Sequence, residues 1–85
     1  MPLRVELTRH VQDPELFDKL RKLRKQIADR EGVAAFIVFS DASLRQMVAR
    51  KPKTASGLLA VSGVGKVKLE RYGSEFLAAI RGHES

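Results

Sequence analysis

The sequence predicts a single small all-α domain, and three observations lead there. Apolar residues recur at helical spacing along two long stretches, Leu16 to Ile27 and Leu69 to Ile80. Three segments open on good helix-capping residues, Asp13, Ser40 and Thr54. The chain has 85 residues, 44% hydrophobic and 31% charged, which is an ordinary globular balance with no room for a second domain. A chain this short buries only about 60–65% of the surface its unfolded form exposes, so its core must be compact and almost wholly apolar.

Residues 1–12 carry no helical period. Val5 and Leu7 alternate with Arg4, Glu6 and Thr8, as in a short strand, but an N-terminal arm or linker is the preferred reading. The domain proper is placed at 13–83. Asp13-Pro14-Glu15 starts the first helix: an N-cap, a proline at the first helical position, and an acid at the positive helix end. Leu16, Leu20, Leu23 and Ile27 form its buried stripe, widened by Phe17, and Gly32 stops it, giving a helix over about 14–31.

Val33 to Phe39 is the most apolar run. Propensity favours a strand, while length and lack of charge favour burial in either state. A lone strand would leave its backbone groups unpaired, so a buried connection with a short helical turn is expected. Ser40 caps the next helix, with Leu44, Met47 and Val48 inward, and it ends before Lys51-Pro52 because the residue before proline resists the α conformation. Thr54 caps a short helix over about 55–60, with Leu58 and Leu59 inward. Ser62-Gly63-Val64-Gly65 makes a tight turn into the last helix, about 64–81, whose face carries Leu69, Tyr72, Phe76 and Ile80. Gly73 on that face permits close helix approach, and Gly82 is expected to end the helix.

Composition and spacing exclude several function classes. The chain contains no cysteine, so it has neither a disulfide framework nor a thiolate metal site. No apolar run approaches the roughly 18 residues that span a bilayer, and the first residues show no signal-peptide pattern. The stretch ending Gly65-Lys66 fails the phosphate-loop pattern, with Ala60 where the first glycine belongs and Val67 where Ser or Thr belongs. Lys68 breaks the dinucleotide pattern in the same way. His10 and His83 lie far apart without a ligand pattern, and the acids are scattered, so neither a metal site nor a cofactor is expected. No catalytic constellation survives, and the isolated chain is expected not to be an enzyme.

What remains points to a polyanion. Sixteen Lys and Arg against ten Asp and Glu give a net charge of +6. The run from Lys19 to Lys25 turns its leucines inward and presents Arg21 and Lys25 on the opposite face, with Lys22 to one side and Arg24 nearer the core edge. Such a face either meets phosphates or is simply solvated. Arg50, Lys51 and Lys53 form another basic point. The turn around Gly63 and Gly65, with Lys66 just inside the next helix, either cradles a phosphate on free N–H groups or is a plain helix–helix corner. Among the aromatics, Phe17, Phe39, Tyr72 and Phe76 read as core, while Phe36 in its irregular connection is either core or exposed enough to stack a base.

Three blocks carry a resemblance. Leu16-Phe17-x-x-Leu20-Arg21-x-Leu23-Arg24, then Val38-Phe39-Ser40-Asp41-x-x-Leu44-x-x-Met47, then Leu58-Leu59-x-Val61-x-Gly63-Val64-Gly65-x-x-Lys68-Leu69-Glu70-x-Tyr72-Gly73 occur in order over about residues 14–82. Together they resemble HRDC domains, the helicase-and-RNase-D C-terminal module, and most of all those of bacterial RecQ DNA helicases, with ribonuclease D as the other possible host. The resemblance implies a compact bundle of about five short helices with a glycine-rich helix-hairpin-helix turn. It also implies a monomeric, non-catalytic accessory domain of a cytoplasmic, nucleoid-associated bacterial helicase acting in DNA repair and recombination. Such a domain binds single-stranded or partly duplex DNA and tunes substrate choice, or docks on its own helicase core or a partner protein. The candidate DNA contacts are therefore Arg21, Lys22, Lys25, Lys51, Lys53, Gly63, Gly65 and Lys66, read from the basic runs and the glycine turn, together with Phe36, whose role the resemblance implies. Where the family often reads Val-Pro-Pro-Tyr, this chain has Val33-Ala34-Ala35-Phe36. The ring is kept while the hydroxyl and both prolines are lost, which implies a less rigid loop and weak binding.

Overall fold

The computed structural model describes residues 13–84, and the expected arm at 1–12 lies outside the described residues. Five helices follow in chain order: α1 Pro14–Glu31, α2 Ala35–Val38, α3 Asp41–Arg50, α4 Ala55–Leu59 and α5 Lys66–Glu84. No strand occurs among the described residues, and no helix there is long and apolar enough to cross a membrane.

Local chemistry sets the helix starts where expected. The Asp13, Ser40 and Thr54 side chains accept from the backbone N–H groups of Leu16, Ser43 and Gly57, each satisfying a donor the helix leaves open. Gly32 closes α1 in the left-handed conformation at φ 69°. Lys51 closes α3 in the same conformation at φ 47°, unusual for a side chain other than glycine. The helix therefore stops where Lys51-Pro52 predicts, through a left-handed cap.

Long α1 and α5 enclose a core of Leu16, Leu20, Ile27, Leu44, Met47, Leu58, Phe76 and Ile80, all fully buried together with Val38 and Phe39. Phe39 sits at its centre, edge-to-face with Phe76 at 4.9 Å and with Tyr72 at 5.9 Å between centroids. Phe17 is only partly buried against this core. A Cβ at Gly73 would come within 2.8 Å of Leu69 Cδ1 on the same helix, while the nearest atom of another helix, Leu58 Cδ2 at 3.8 Å, would be in ordinary contact, so helix approach does not require the glycine.

Three further expectations need correction. α5 begins at Lys66 and runs through Gly82 to Glu84. A glycine stops a helix only where the chain turns left-handed, and among the described glycines only Gly32 and Gly63 have positive φ. Leu59 is exposed, because the five-residue α4 turns only Leu58 inward. The run from Val33 to Phe39 forms the expected helical turn but is not buried as a whole. Only Val38 and Phe39 are covered, while Val33, Phe36 and Ile37 face solvent. One turn at 100° per residue cannot face the core with every side chain.

Gly63 makes the corner between α4 and α5. It sits at φ 89°, and a Cβ would fall 2.3 Å from Ser43 Oγ, which donates to the Ser62 carbonyl at 2.7 Å. Gly63→Ala is therefore expected to cost about 1–3 kcal/mol through backbone strain and the clash. Gly65→Ala, whose Cβ meets nothing within 4 Å, serves as the control and should melt near the parent temperature. Equal melting of the two variants would show that the corner does not depend on Gly63.

Candidate nucleic-acid interface

One side of α1 carries Asp18, Arg21, Lys22, Lys25 and Asp29, at offsets of three, four, seven and eleven residues from Asp18. These side chains, with Arg24, Ala28 and the segment Val33-Ala34-Ala35, line a groove of about 600 Å³ between α1 and the approach to α2. Phe36 follows directly and is 67% exposed, with Ile37 47% and Val33 37% exposed beside it in sequence. The α1 wall of the groove thus carries Arg21, Lys22 and Lys25 with the acids Asp18 and Asp29, and the exposed Phe36 follows its last lining residue, Ala35, in the chain.

The charges of this wall are not equivalent. Lys22 pairs with Asp18 at 3.0 Å and Lys25 with Asp29 at 3.2 Å, both as exposed i,i+4 pairs. Such pairs contribute little and are screened by salt, so a phosphate can compete for either lysine. Arg21 has no carboxylate partner among the described residues, and its guanidinium lies 5.9 Å over the Phe17 ring. Arg24 lies beneath them, 9% exposed, and its Nη1 donates to the Phe39 carbonyl at 2.9 Å and meets Asp41 Oδ1 at 2.8 Å.

The structure brings together Arg21, Lys22, Lys25 and the segment leading to Phe36. The other expected residues lie elsewhere. Lys51 is half-buried at the opposite end of α1, 3.2 Å from Asp13 Oδ2. Lys53 is exposed, and its carbonyl accepts from Nε and Nη2 of Arg81, the former at 3.0 Å. Gly63, Gly65 and Lys66 occupy the α4–α5 corner on the α3 side, where Gln46 accepts from the Ser62 N–H at 3.0 Å. Gly63 there has the contacts of a packing residue, whereas Gly65 and Lys66 are exposed and followed by exposed Val67.

Asp13, Glu15 and His83 bring ligand atoms within 4.8 Å of one another, a cluster not expected from the histidine spacing. Asp13 there is held below the ordinary carboxylate value, first by the Leu16 N–H and then by Lys51 and His83, against the opposing effect of burial. With the Lys51 ammonium already on the same oxygen as His83 Nε2, the cluster ties the start of α1 to the end of α3 by an ion pair and to the end of α5 by a 3.0 Å contact with the imidazole. Tyr72 is equally committed. Burial pushes its phenol up, and its hydroxyl donates to Glu31 Oε1 at 3.0 Å, where Arg71 also donates at 2.8 Å. Phe36 is the most exposed aromatic ring among the described residues.

Sequence reasoning was incomplete at two features. Helical spacing set Arg24 nearer the core edge, four residues after Leu20 and three before Ile27, but gave neither its burial nor its bonds to Phe39 and Asp41. Val33 and Ile37 read as core because nothing local distinguishes a covered apolar run from one that a single helical turn splits.

Comparison with known proteins identifies the family of the chain. The family model described as HRDC domain matches residues 13–80. The chain is 47% identical over 73 residues to an ATP-dependent DNA helicase RecQ of Haemophilus influenzae, covering 86% of this chain and 12% of that protein. It is 42% identical over 72 residues to the helicase of the same name from Bacillus subtilis, covering 85% and 12%. Among solved structures, D. radiodurans RecQ HRDC domain 3 superposes with a TM-score of 0.80 at 37% identity, over 82% of this chain and 92% of that one. The chain thus spans about an eighth of the full-length relatives it matches and nearly all of an isolated domain.

Proposed function

From the premise that this chain belongs to the HRDC domain family, we propose that it is a non-catalytic accessory domain of a RecQ-type DNA helicase that binds single-stranded or partly duplex DNA weakly. The observation that carries this is the exposed Phe36, 67% accessible, next in the chain to the segment that lines a groove with Arg21, Lys22 and Lys25. Single strands are held by cations that track phosphates and aromatic faces that stack bases, and this surface offers both. Arg21 is the leading phosphate contact because no carboxylate among the described residues competes for it. Lys22 and Lys25 contribute by exchanging their helical partners for phosphates. Gly65 and Lys66 at the α4–α5 corner form a second, smaller contact, and Lys51 and Lys53 act at most through long-range attraction. A helicase motor on the same chain would gain a tether to the strand it works on, which tunes the choice of DNA structure.

A second reading rests on the same exposed segment. Val33, Phe36 and Ile37 could instead dock on the helicase core or on another protein, and salt separates the two. Labelled single-stranded and forked DNA titrated at two salt concentrations should show a log–log slope of roughly −0.7 per phosphate contact. Arg21→Gln is expected to weaken binding on every sequence and to reduce that slope by about 0.7. No binding at low salt to any of these DNAs would leave the docking reading in place.

A further inference from the structure

We propose that Arg24 is the positioning residue of the Phe36 platform, setting where α2 stands relative to Arg21 and Lys25 without itself contacting DNA. This rests on the reading of Phe36 and the groove as the DNA interface.

α2 does not hold itself in place. It has four residues, its N-cap Ala34 offers no side-chain hydrogen bond, and two backbone bonds close it: the Ile37 N–H to the Ala34 carbonyl at 3.0 Å and the Phe39 N–H to the Ala35 carbonyl at 3.4 Å. An isolated turn of this length is unstable in water. Its anchors are the burial of Val38 and Phe39 and the Arg24 guanidinium, which crosses from α1 to bond the Phe39 carbonyl and Asp41 Oδ1, one residue on either side of Ser40. Phe39 is therefore held at both backbone groups, its N–H by α2 and its carbonyl by α1. The helix that presents Arg21 and Lys25 to the groove also fixes the carboxyl end of the turn that presents Phe36.

Burial of Arg24 is not explained by packing. Its Nε has no hydrogen-bond partner among the described residues, and a buried guanidinium with one unpaired N–H is a poor way to fill apolar space. An apolar side chain of similar volume would fill this space with no unpaired N–H, and the carboxylate partner Asp41 is itself exposed, so the pair alone contributes little. What the arginine adds over such a side chain is a directed bond to the end of α2.

The test combines amide exchange with DNA affinity. In Arg24→Met, which keeps most of the stem, exchange at the Ile37 and Phe39 amides should rise about tenfold or more relative to the core amide of Phe76. DNA affinity should fall by about as much as in Phe36→Ala, and the double variant should bind no more weakly than Phe36→Ala alone. Exchange at Ile37 and Phe39 that merely follows Phe76, or affinity losses that multiply in the double variant, would overturn the proposal. If Arg24→Met fails to fold, Asp41→Asn, which weakens one of the two contacts at an exposed carboxylate, is read the same way with an expected rise of about threefold. The exchange arm contains no DNA, so it separates the two readings. Raised exchange in the variant, with a parent that binds no DNA, supports the positioning role and removes the DNA interface. A parent that binds through Phe36 with unchanged exchange in the variant removes the positioning role alone.

Discussion

Phe36→Ala is expected to bind single-stranded DNA about tenfold or more weakly while melting close to the parent. Base stacking on an aromatic contributes about 1–3 kcal/mol by alanine substitution, and about 1.4 kcal/mol is a factor of ten in affinity. The stability side follows from exposure: the ring is 67% accessible, and surface substitutions usually change stability by no more than about 0.5 kcal/mol. Melting curves and fluorescence anisotropy on the same variant report the two effects separately. Unchanged affinity in a stable variant would remove Phe36 as a base platform and leave the cations of α1 to act through charge alone. Early unfolding would mean that the ring is covered in solution.

Phe39→Ala, three residues further along the same segment, is expected to behave in the opposite way. The ring is fully buried and edge-to-face with both Phe76 and Tyr72. Removing a buried phenylalanine costs about 3–5 kcal/mol, from lost transfer energy and the cavity left behind. Small domains have total stabilities of about 5–15 kcal/mol, so this one change removes much of the margin. The urea midpoint should fall far below that of the parent, and any residual DNA affinity should track the folded fraction. A loss under about 1.5 kcal/mol would mean that the aromatic trio repacks around the gap and does not centre the core.

These neighbouring rings show what the sequence could and could not carry. Both lie in the run from Val33 to Phe39, which has no charge and no clear period. Which ring enters the core depends on where the chain leaves α1 and enters α3, and neither is a property of the run. Arg21, Lys22 and Lys25 were legible as one basic face because helical spacing is a local rule. Which of them is already paired was not read from the sequence, although Asp18–Lys22 and Lys25–Asp29 are i,i+4 pairs that the same local rule could have shown. Lys51 was not legible in this way: it looked free in the sequence, and its partner Asp13 is distant in the chain and adjacent only in the fold.

By itself the sequence determined the helices that carry their own signals. Asp13, Ser40 and Thr54 cap where backbone donors need an acceptor, Gly32 closes α1, and the stripes of α1 and α5 define their buried faces. These are interactions within a few residues, written in spacing and residue type. Only the tertiary structure decided that α5 continues through Gly82, that Leu59 and Phe36 face solvent, and that Arg24 is buried as a link from α1 to Phe39 and Asp41. Each of those depends on what lies across the interface from the residue. A short turn without a dominant apolar stripe takes its orientation from the long helices it packs against, and that orientation leaves Phe36 outside and draws Phe39 in.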